Sequence, residues 1–448
     1  MPAEKAYPSS SSRSASLHKR AQRVLPGGNT RTTVYRDPYP IYVRSGAGSR
    51  IVDVDGVERI DFLNNYTALI HGHAHPSIVR AATAAVESGS AFGAPTESEI
   101  RLAEILVERV PGGERVRFMN SGSEAVMMAV KAARAYTGRS RIAKCEGLYH
   151  GSYDFVEVGL DSAPENWGDP AAPNRVPYSR GTPAAVLSDV VVLPFNDSEA
   201  SLRLLEQNAT DLAAVIVDPL PNRIGLIPAT REFLVTLRDF CTRTGVVLIS
   251  DEVISFRIGY RGALAEFDLH ADLVTLGKII GGGFPVGAVC GSKDVMSVFD
   301  PTMGKPAAPH GGTFNANPVT MAAGAVAMEL LTPAVLDRLN ELGRVARDRM
   351  QAVIHEAGVP WRVTGDASLF RFVPGDRELV DYRSSSPDAT TSDQLERFTG
   401  ALLNHGIMLD HGGLGCLSTV MTDSDVDALT SAVELALGDA RIPTLSSP

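Results

Sequence analysis

The sequence predicts an α/β protein, with a mostly parallel sheet covered by helices and a smaller α+β lobe. Three observations lead there. The chain has 448 residues, too many for one compact core, so two lobes are expected. Between residues 62 and 325, helical stretches at 76–89, 98–109, 124–136, 198–207 and 230–244 alternate with strand runs at 115–119, 141–144, 189–193, 213–217 and 246–250. Such alternation means a parallel sheet with helices on its faces. From about residue 326, helices at 321–331 and 335–356 lead into short strands at 362–364, 370–372 and 417–420, and a helix at 423–437 closes the chain. The expected domains are an N-terminal segment 1–61, a large domain 62–325 and a small domain 326–448. The first of these reads as a disordered tail followed by part of the small domain.

Composition excludes several function classes. Apolar residues make up 44% and charged residues 21%, ordinary for a soluble enzyme. A net charge of −10 argues against a nucleic-acid surface. No apolar run approaches the ~20 residues of a membrane span. Cys145, Cys241, Cys290 and Cys416 are scattered without a CxxC or Cys/His cluster, and read as reduced core thiols of a cytoplasmic protein.

In chain order, residues 1 to about 15 are polar and serine-rich, without the apolar segment of a secretory signal. A turn-rich stretch, Leu25 to Arg31, precedes an alternating region from Tyr39 to Ile60 broken by Gly46, Gly48 and Asp55-Gly56, which predicts short antiparallel strands. His71, His73 and His75 alternate, but the stretch enters a helix at Pro76, and no metal is assigned. Residues 159–187 form a Pro/Gly/Ser-rich loop with Trp167, too long for a simple connection.

The chemistry gathers where strands end. Leu273 to Leu276 is an apolar run that leads to Lys278 and the cluster Gly281-Gly282-Gly283. A lysine there is costly unless its amine is neutralised or bonded, and an imine with an aldehyde cofactor does that. Val246 to Ser250 is another buried run ending in Asp251-Glu252-Val253, 27 residues before Lys278, the span of one strand–connection–strand unit. A carboxylate at that place suits a protonated pyridine nitrogen, or else a helix cap. Arg115 to Met119 runs into Asn120-Ser121-Gly122-Ser123-Glu124 and a helix. Serine and glycine at a helix start offer free N–H groups to a phosphate, although Ser121 and Glu124 also have capping-box spacing. Tyr149, in Tyr149-His150-Gly151, offers an aromatic face to a ring.

Together NSGSEA, YHG, DEV, TLGK and GGTFNANP, in that order from residue 120 to residue 318, resemble the class III aminotransferases of the pyridoxal-phosphate fold-type I superfamily. The resemblance runs from about Pro26 to Asp425, and within the class it points to glutamate-1-semialdehyde aminomutases and β-amino-acid aminotransferases. It implies a seven-stranded sheet, a pyridoxal 5′-phosphate cofactor on Lys278, and Asp251 on the ring nitrogen. Tyr149 and Val253 would sandwich the ring, with Ser121, Gly122 and Ser123 on the phosphate. The matching threonine, Thr313, reaches the other subunit's phosphate, which implies a homodimer with shared sites. Arg31 corresponds to a substrate-carboxylate arginine, a natural bidentate partner, and Tyr66 to the aromatic wall of the substrate pocket. Loop 159–187 corresponds to the gating loop of the aminomutases.

Two departures bear on substrate. Asp218 stands where the family writes glutamate, and Arg223 where a small residue is usual, so Arg223 either binds a second acid group or pairs with a neighbour. The stretch Leu409 to Leu414 carries Gly412-Gly413, where the β-amino-acid enzymes have arginine and the aminomutases glutamate. The expected activity is transfer of an amino group between a small-molecule donor and a keto acid. An aminomutase or epimerase on the same scaffold is the alternative, and a silent binding protein the reading from another class.

Overall fold

The protein is described here from a computed structural model covering residues 6–302 and 304–444. The chain divides into two compact units, one of Met1–Pro76, Arg338–Arg377 and Pro387–Pro448, the other of Ser77–Asp337 and Glu378–Ser386.

The second unit is built on a seven-stranded sheet. Its order is Arg115–Met119, Gly287–Gly291, Leu273–Gly277, Val247–Asp251, Leu212–Val217, Arg141–Cys145 and Val190–Leu193. Gly287–Gly291 runs against both its neighbours, and the other six strands share one direction. Leu212–Val217 and Val190–Leu193 are buried along their whole length, as strands covered on both faces must be. That burial is why their sequences are continuous apolar runs. The five expected helices appear as Pro76–Ser88, Glu97–Arg109, Gly122–Thr137, Ser198–Asn208 and Arg231–Thr244. Gly287–Gly291 is a strand beyond those the sequence predicts, because its terminal glycines weaken the strand signal. Here they answer to packing, since a Cβ on Gly287 would lie 2.0 Å from the Ser121 carbonyl oxygen.

Loop 159–187, expected as a lid, is anchored along its first half by the segment Glu378–Ser386. Arg383 donates to Glu146 Oε2 at 2.8 Å and to the carbonyls of Trp167 and Gly168 at 2.7 and 2.9 Å. Its guanidinium also lies over the Trp167 ring, 5.0 Å from the centroid. The Tyr382 hydroxyl donates to the Ser162 carbonyl at 2.7 Å. Gly147 makes room for that ring, since a Cβ there would come within 2.1 Å of it.

The first unit holds a four-stranded sheet, Val43–Ala47, Arg50–Asp53, Glu58–Asp61 and Ile407–Met408, and a three-stranded one, Trp361–Thr364, Leu369–Pro374 and Leu414–Cys416. The strand expected at 417–420 is displaced to Leu414–Cys416. The backbone N–H groups of Leu417 and Thr419 go instead to two separate carbonyls, Ser368 and Ile70, so that run forms no ladder. Residues 1–5 of the expected disordered tail lie outside the described residues, and from Tyr7 onward the segment is tied down. Tyr7 N–H donates to Asn404 Oδ1 at 2.7 Å and its hydroxyl to the Tyr39 carbonyl at 2.6 Å. Ser12 then caps the helix Arg13–Ala21. Asn64–Thr67 is a left-handed turn, with φ of 48°, 50°, 56° and 73°. Such residues cost ~1–2 kcal/mol each, so the turn persists only because its surroundings fix it. No single helix among the described residues is long and apolar enough to cross a membrane.

Candidate active site

Several parallel strands of the second unit deliver their carboxyl ends to one place, where ligands of α/β sheets bind. Asp251 closes Val247–Asp251, Lys278 follows Leu273–Gly277, Asp218 follows Leu212–Val217, and Ser121 lies just beyond Arg115–Met119. Together with Gly122, Ser123, Tyr149, His150 and Val253 they line a cavity of about 260 Å³.

Lys278 is partly buried and has a φ of 48°, a sparsely populated conformation for a non-glycine residue that its surroundings must hold. Desolvation lowers the pKa of its amine, with Asp251 and Asp218 opposing the shift. Asp251 is buried and held by three donors. Its Oδ2 faces His150 Nδ1 at 2.7 Å, and its Oδ1 accepts from the Thr275 hydroxyl at 2.9 Å and the Val253 N–H at 3.2 Å. Thr275 is there because parallel pairing sets it opposite Asp251. A carboxylate offers about four lone-pair sites, so one remains for a donor in the cavity. His150 is buried, and burial lowers its pKa, so the neutral ring presents Nδ1–H to the carboxylate. Asp218 accepts from Leu220 N–H and the Ser255 hydroxyl, both at 3.0 Å. Burial, reinforced by the charge of Asp251, pushes its pKa well above the usual carboxylate range.

At the cavity's other end the helix Gly122–Thr137 begins. Ser121 Oγ accepts from Glu124 N–H at 3.2 Å, but the Glu124 carboxylate takes Asn120 N–H at 2.6 Å instead of closing a capping box on Ser121. The N–H groups of Gly122 and Ser123 are left at the positive end of the helix. There is no room for a larger residue, since a Cβ on Gly122 would meet Val253 at 2.9 Å and one on Gly151 would meet Ser123 Oγ at 2.5 Å.

The remaining expected residues lie elsewhere. Thr313 is exposed and lines a separate cavity of about 380 Å³ that also includes Arg117 and His310. Arg223 donates to Asp161 Oδ1 at 2.6 Å, the neighbour pairing its sequence context left open. Arg31 and Tyr66 belong to the first unit, where they line a third cavity, largely apolar and of about 490 Å³. Arg31 Nη1 donates to Asn65 Oδ1 at 2.8 Å. At Gly412 a Cβ would lie 2.8 Å from Asp410 Oδ2 and 3.1 Å from Arg371 Nη2, both ends of side chains that can give way. His73 is bound to Asp61 at 2.7 Å and His71 to Thr419 at 2.9 Å.

Three residues of the cofactor cavity or its support were not read as such. His150 was visible in its tripeptide, but nothing local says that it meets a carboxylate 101 positions away. Thr275 carries only its strand pattern, and Asp218, a departure that bears on the substrate pocket, lines the same cavity as Lys278 and Asp251.

A family model described as aminotransferase class-III matches residues 32–436. The chain is 39% identical over 428 residues to a glutamate-1-semialdehyde 2,1-aminomutase of Methanopyrus kandleri, covering 95% of this chain and 97% of that protein. It is 42% identical over 377 residues to one of Ignicoccus hospitalis, covering 83% and 86%. Among solved structures it is similar to an omega-transaminase from Sphaerobacter thermophilus, at 56% identity and a TM-score of 0.94, covering 96% of this chain and 98% of that one. It is also similar to a β-phenylalanine aminotransferase from Variovorax paradoxus, at 33% identity and a TM-score of 0.86, covering 95% and 93%. The chain belongs to the class-III aminotransferases, with the α/β fold of the type I pyridoxal-phosphate enzymes. Its cofactor is pyridoxal 5′-phosphate. The cavity fits that group: an amine of lowered pKa, a carboxylate with one acceptor site open, and a glycine-lined helix start suited to phosphate.

Proposed function

We infer that the enzyme moves an amino group from an amino acid with an apolar side chain to a keto acid. The observation that carries this reading is the convergence of Lys278, Asp251 and the Ser121–Ser123 turn on one cavity. Pyridoxal phosphate, when bound, supplies an aldehyde and an electron-withdrawing ring. Lys278 is assigned to the aldehyde carbon and to proton transfer at the substrate carbon, a task that a lowered amine pKa favours. Asp251 would hold the proton on the ring nitrogen, with His150 and Thr275 keeping its carboxylate in line. Tyr149 and Val253 would flank the ring, and Ser121, Gly122 and Ser123 would hold the phosphate. Asp218 sits beside Asp251 with its pKa raised by burial and by that neighbouring charge, and its carboxyl is bound by Leu220 N–H and the Ser255 hydroxyl.

Thr313 is assigned to the partner's phosphate in a homodimer with shared sites. In support, it lines a cavity apart from the one that holds Lys278 of its own chain. Mixing inactive Lys278→Ala protein with inactive Thr313→Asp protein should then restore activity through mixed dimers. No recovery after subunit exchange would show that each site draws both residues from one chain. Arg31 is assigned to the substrate's carboxylate, with Tyr66 as its aromatic neighbour. Arg223 is a second candidate anchor, which would have to leave Asp161 to serve. The four buried free thiols support a cytoplasmic location.

The names of the relatives at 39% and 42% identity favour an aminomutase as second reading. Transamination is preferred because the 56% identical structure is an omega-transaminase and because Gly412 and Gly413 replace the aminomutase glutamate. The test is a half-reaction. With β-phenylalanine and no keto acid, the holoenzyme should convert one equivalent per site and stop, then resume when 2-oxoglutarate or pyruvate is added. Steady isomerisation of glutamate-1-semialdehyde without any keto acid would establish the aminomutase instead.

A further inference from the structure

The left-handed turn Asn64–Thr67 is closed by the bonds of an α-turn. Thr67 N–H donates to the Leu63 carbonyl at 3.0 Å, and Ala68 N–H to that of Asn64. None of the four residues is glycine, so Cβ crowding opposes each of them. The surroundings that hold the turn are specific. Asp61 Oδ1 accepts from the N–H groups of Leu63 and Asn64 at 2.9 and 3.0 Å, and the buried Asn64 donates from Nδ2 to the Cys416 carbonyl at 3.2 Å. The Tyr66 hydroxyl donates to the Thr33 carbonyl and lies 3.2 Å from Asp410 Oδ1. Strain fixed this firmly is characteristic of ligand clamps.

The turn delivers the Asn65 amide to Arg31 at the wall of the 490 Å³ cavity, and sets the Tyr66 ring 5.7 Å from the guanidinium carbon. Neither partner carries charge, because burial and Asp410 push the Tyr66 hydroxyl pKa up. Two acids line the same cavity, and both are engaged. Asp61 takes His73, and Asp410 takes Gly412 N–H at 2.9 Å besides facing Tyr66. An amide orients a guanidinium without cancelling its charge, leaving its remaining donors for an anion.

We propose that Asn65 is a positioning residue for anion capture: the left-handed turn holds its amide against Arg31, so that the guanidinium stays aimed and uncompensated for the carboxylate of a ligand whose apolar group enters the cavity. Calling that ligand the substrate rests on the aminotransferase reading, but the binding does not.

The test uses holoenzyme and two probes, 3-phenylpropionate, which has ring and carboxylate without amine, and 2-phenylethylamine, which has ring and amine without carboxylate. Asn65→Gly removes the amide and adopts positive φ freely, so it should fold with Tm no lower than wild type. Asn65→Asp keeps the acceptor but supplies a charge that neutralises Arg31. Calorimetry should show 3-phenylpropionate weakened roughly tenfold by Asn65→Gly and further by Asn65→Asp, with 2-phenylethylamine within about twofold of wild type in both. In turnover, KM for β-phenylalanine should rise in step while kcat changes little. Wild-type affinity for 3-phenylpropionate in both variants, rescue by Asn65→Asp, or no binding to the wild type would each overturn the proposal. The expected binding pattern in an enzyme that never transaminates would uphold it and remove only the aminotransferase reading.

Discussion

Lys278→Ala is expected to lower turnover by about a thousandfold or more and to leave a protein that loses its cofactor on dialysis. The size follows from removing two contributions at once, the covalent anchor and the proton carrier, the second alone worth about 10²–10⁴. The fold should survive, since the side chain points into a cavity and not a packed core, although alanine at a φ of 48° keeps the backbone strain. Borohydride treatment of wild-type holoenzyme should fix the cofactor at this residue in a peptide map. Lys144 is the instructive control. It is fully buried on Arg141–Cys145, and burial lowers its pKa to about 7, so by titration alone it would look equally competent. Its amine, however, is spent on the carbonyls of Cys145 and Val158 at 2.9 and 3.0 Å and lines no part of the cavity. Label on Lys144, or none on Lys278, would remove the assignment.

What the sequence made legible is what neighbours along the chain decide. Continuous apolar runs mark the parallel strands because both faces are covered, and Ser121 and Pro76 mark helix starts through a local hydrogen bond and a fixed φ. The strand ends therefore came with their chemistry attached, and Lys278, Asp251 and the serine–glycine turn were found together. Contacts between distant segments were not legible. His150 and Asp251 meet across two strand ends, and Arg383 reaches back 237 positions to Glu146, binding a loop whose composition alone suggested freedom. The left-handed turn is not legible for another reason: asparagine tolerates positive φ, but Tyr66 and Thr67 do not advertise it, and besides the local bonds to Asp61 it is held by distant partners, the Cys416 carbonyl on Asn64 and Thr33 and Asp410 on Tyr66. Glycine misled in both directions, hiding the strand Gly287–Gly291 while serving as its packing device.

Asp251→Asn is expected to cost about 10²- to 10³-fold in kcat, the range for losing one preorganised electrostatic partner, while the cofactor stays bound. Asparagine matches the shape of aspartate but offers one acceptor oxygen instead of two. Three protein donors converge on the native carboxylate, so the amide nitrogen must face either His150 or the pair Thr275 and Val253. If it faces His150, the imidazole can move its proton to Nε2, but that atom is buried without a partner among the described residues. An unsatisfied buried donor costs about 1–3 kcal/mol, so Tm should fall somewhat as well. The larger effect is chemical, because a neutral amide cannot hold a proton on the ring nitrogen, whereas the phosphate contacts at Ser121–Ser123 stay in place; the Lys278 amine loses the Asp251 charge that opposes its desolvation, so its pKa falls further. His150→Phe separates the two causes. It keeps the carboxylate charge and its bonds to Thr275 and Val253 but removes the donor that fixes Oδ2, so kcat should drop only about tenfold. The pH titration of the bound cofactor's absorbance should shift in both variants, and more in Asp251→Asn. A kcat within tenfold of wild type for Asp251→Asn, with an unshifted titration, would show that this carboxylate does not serve the ring.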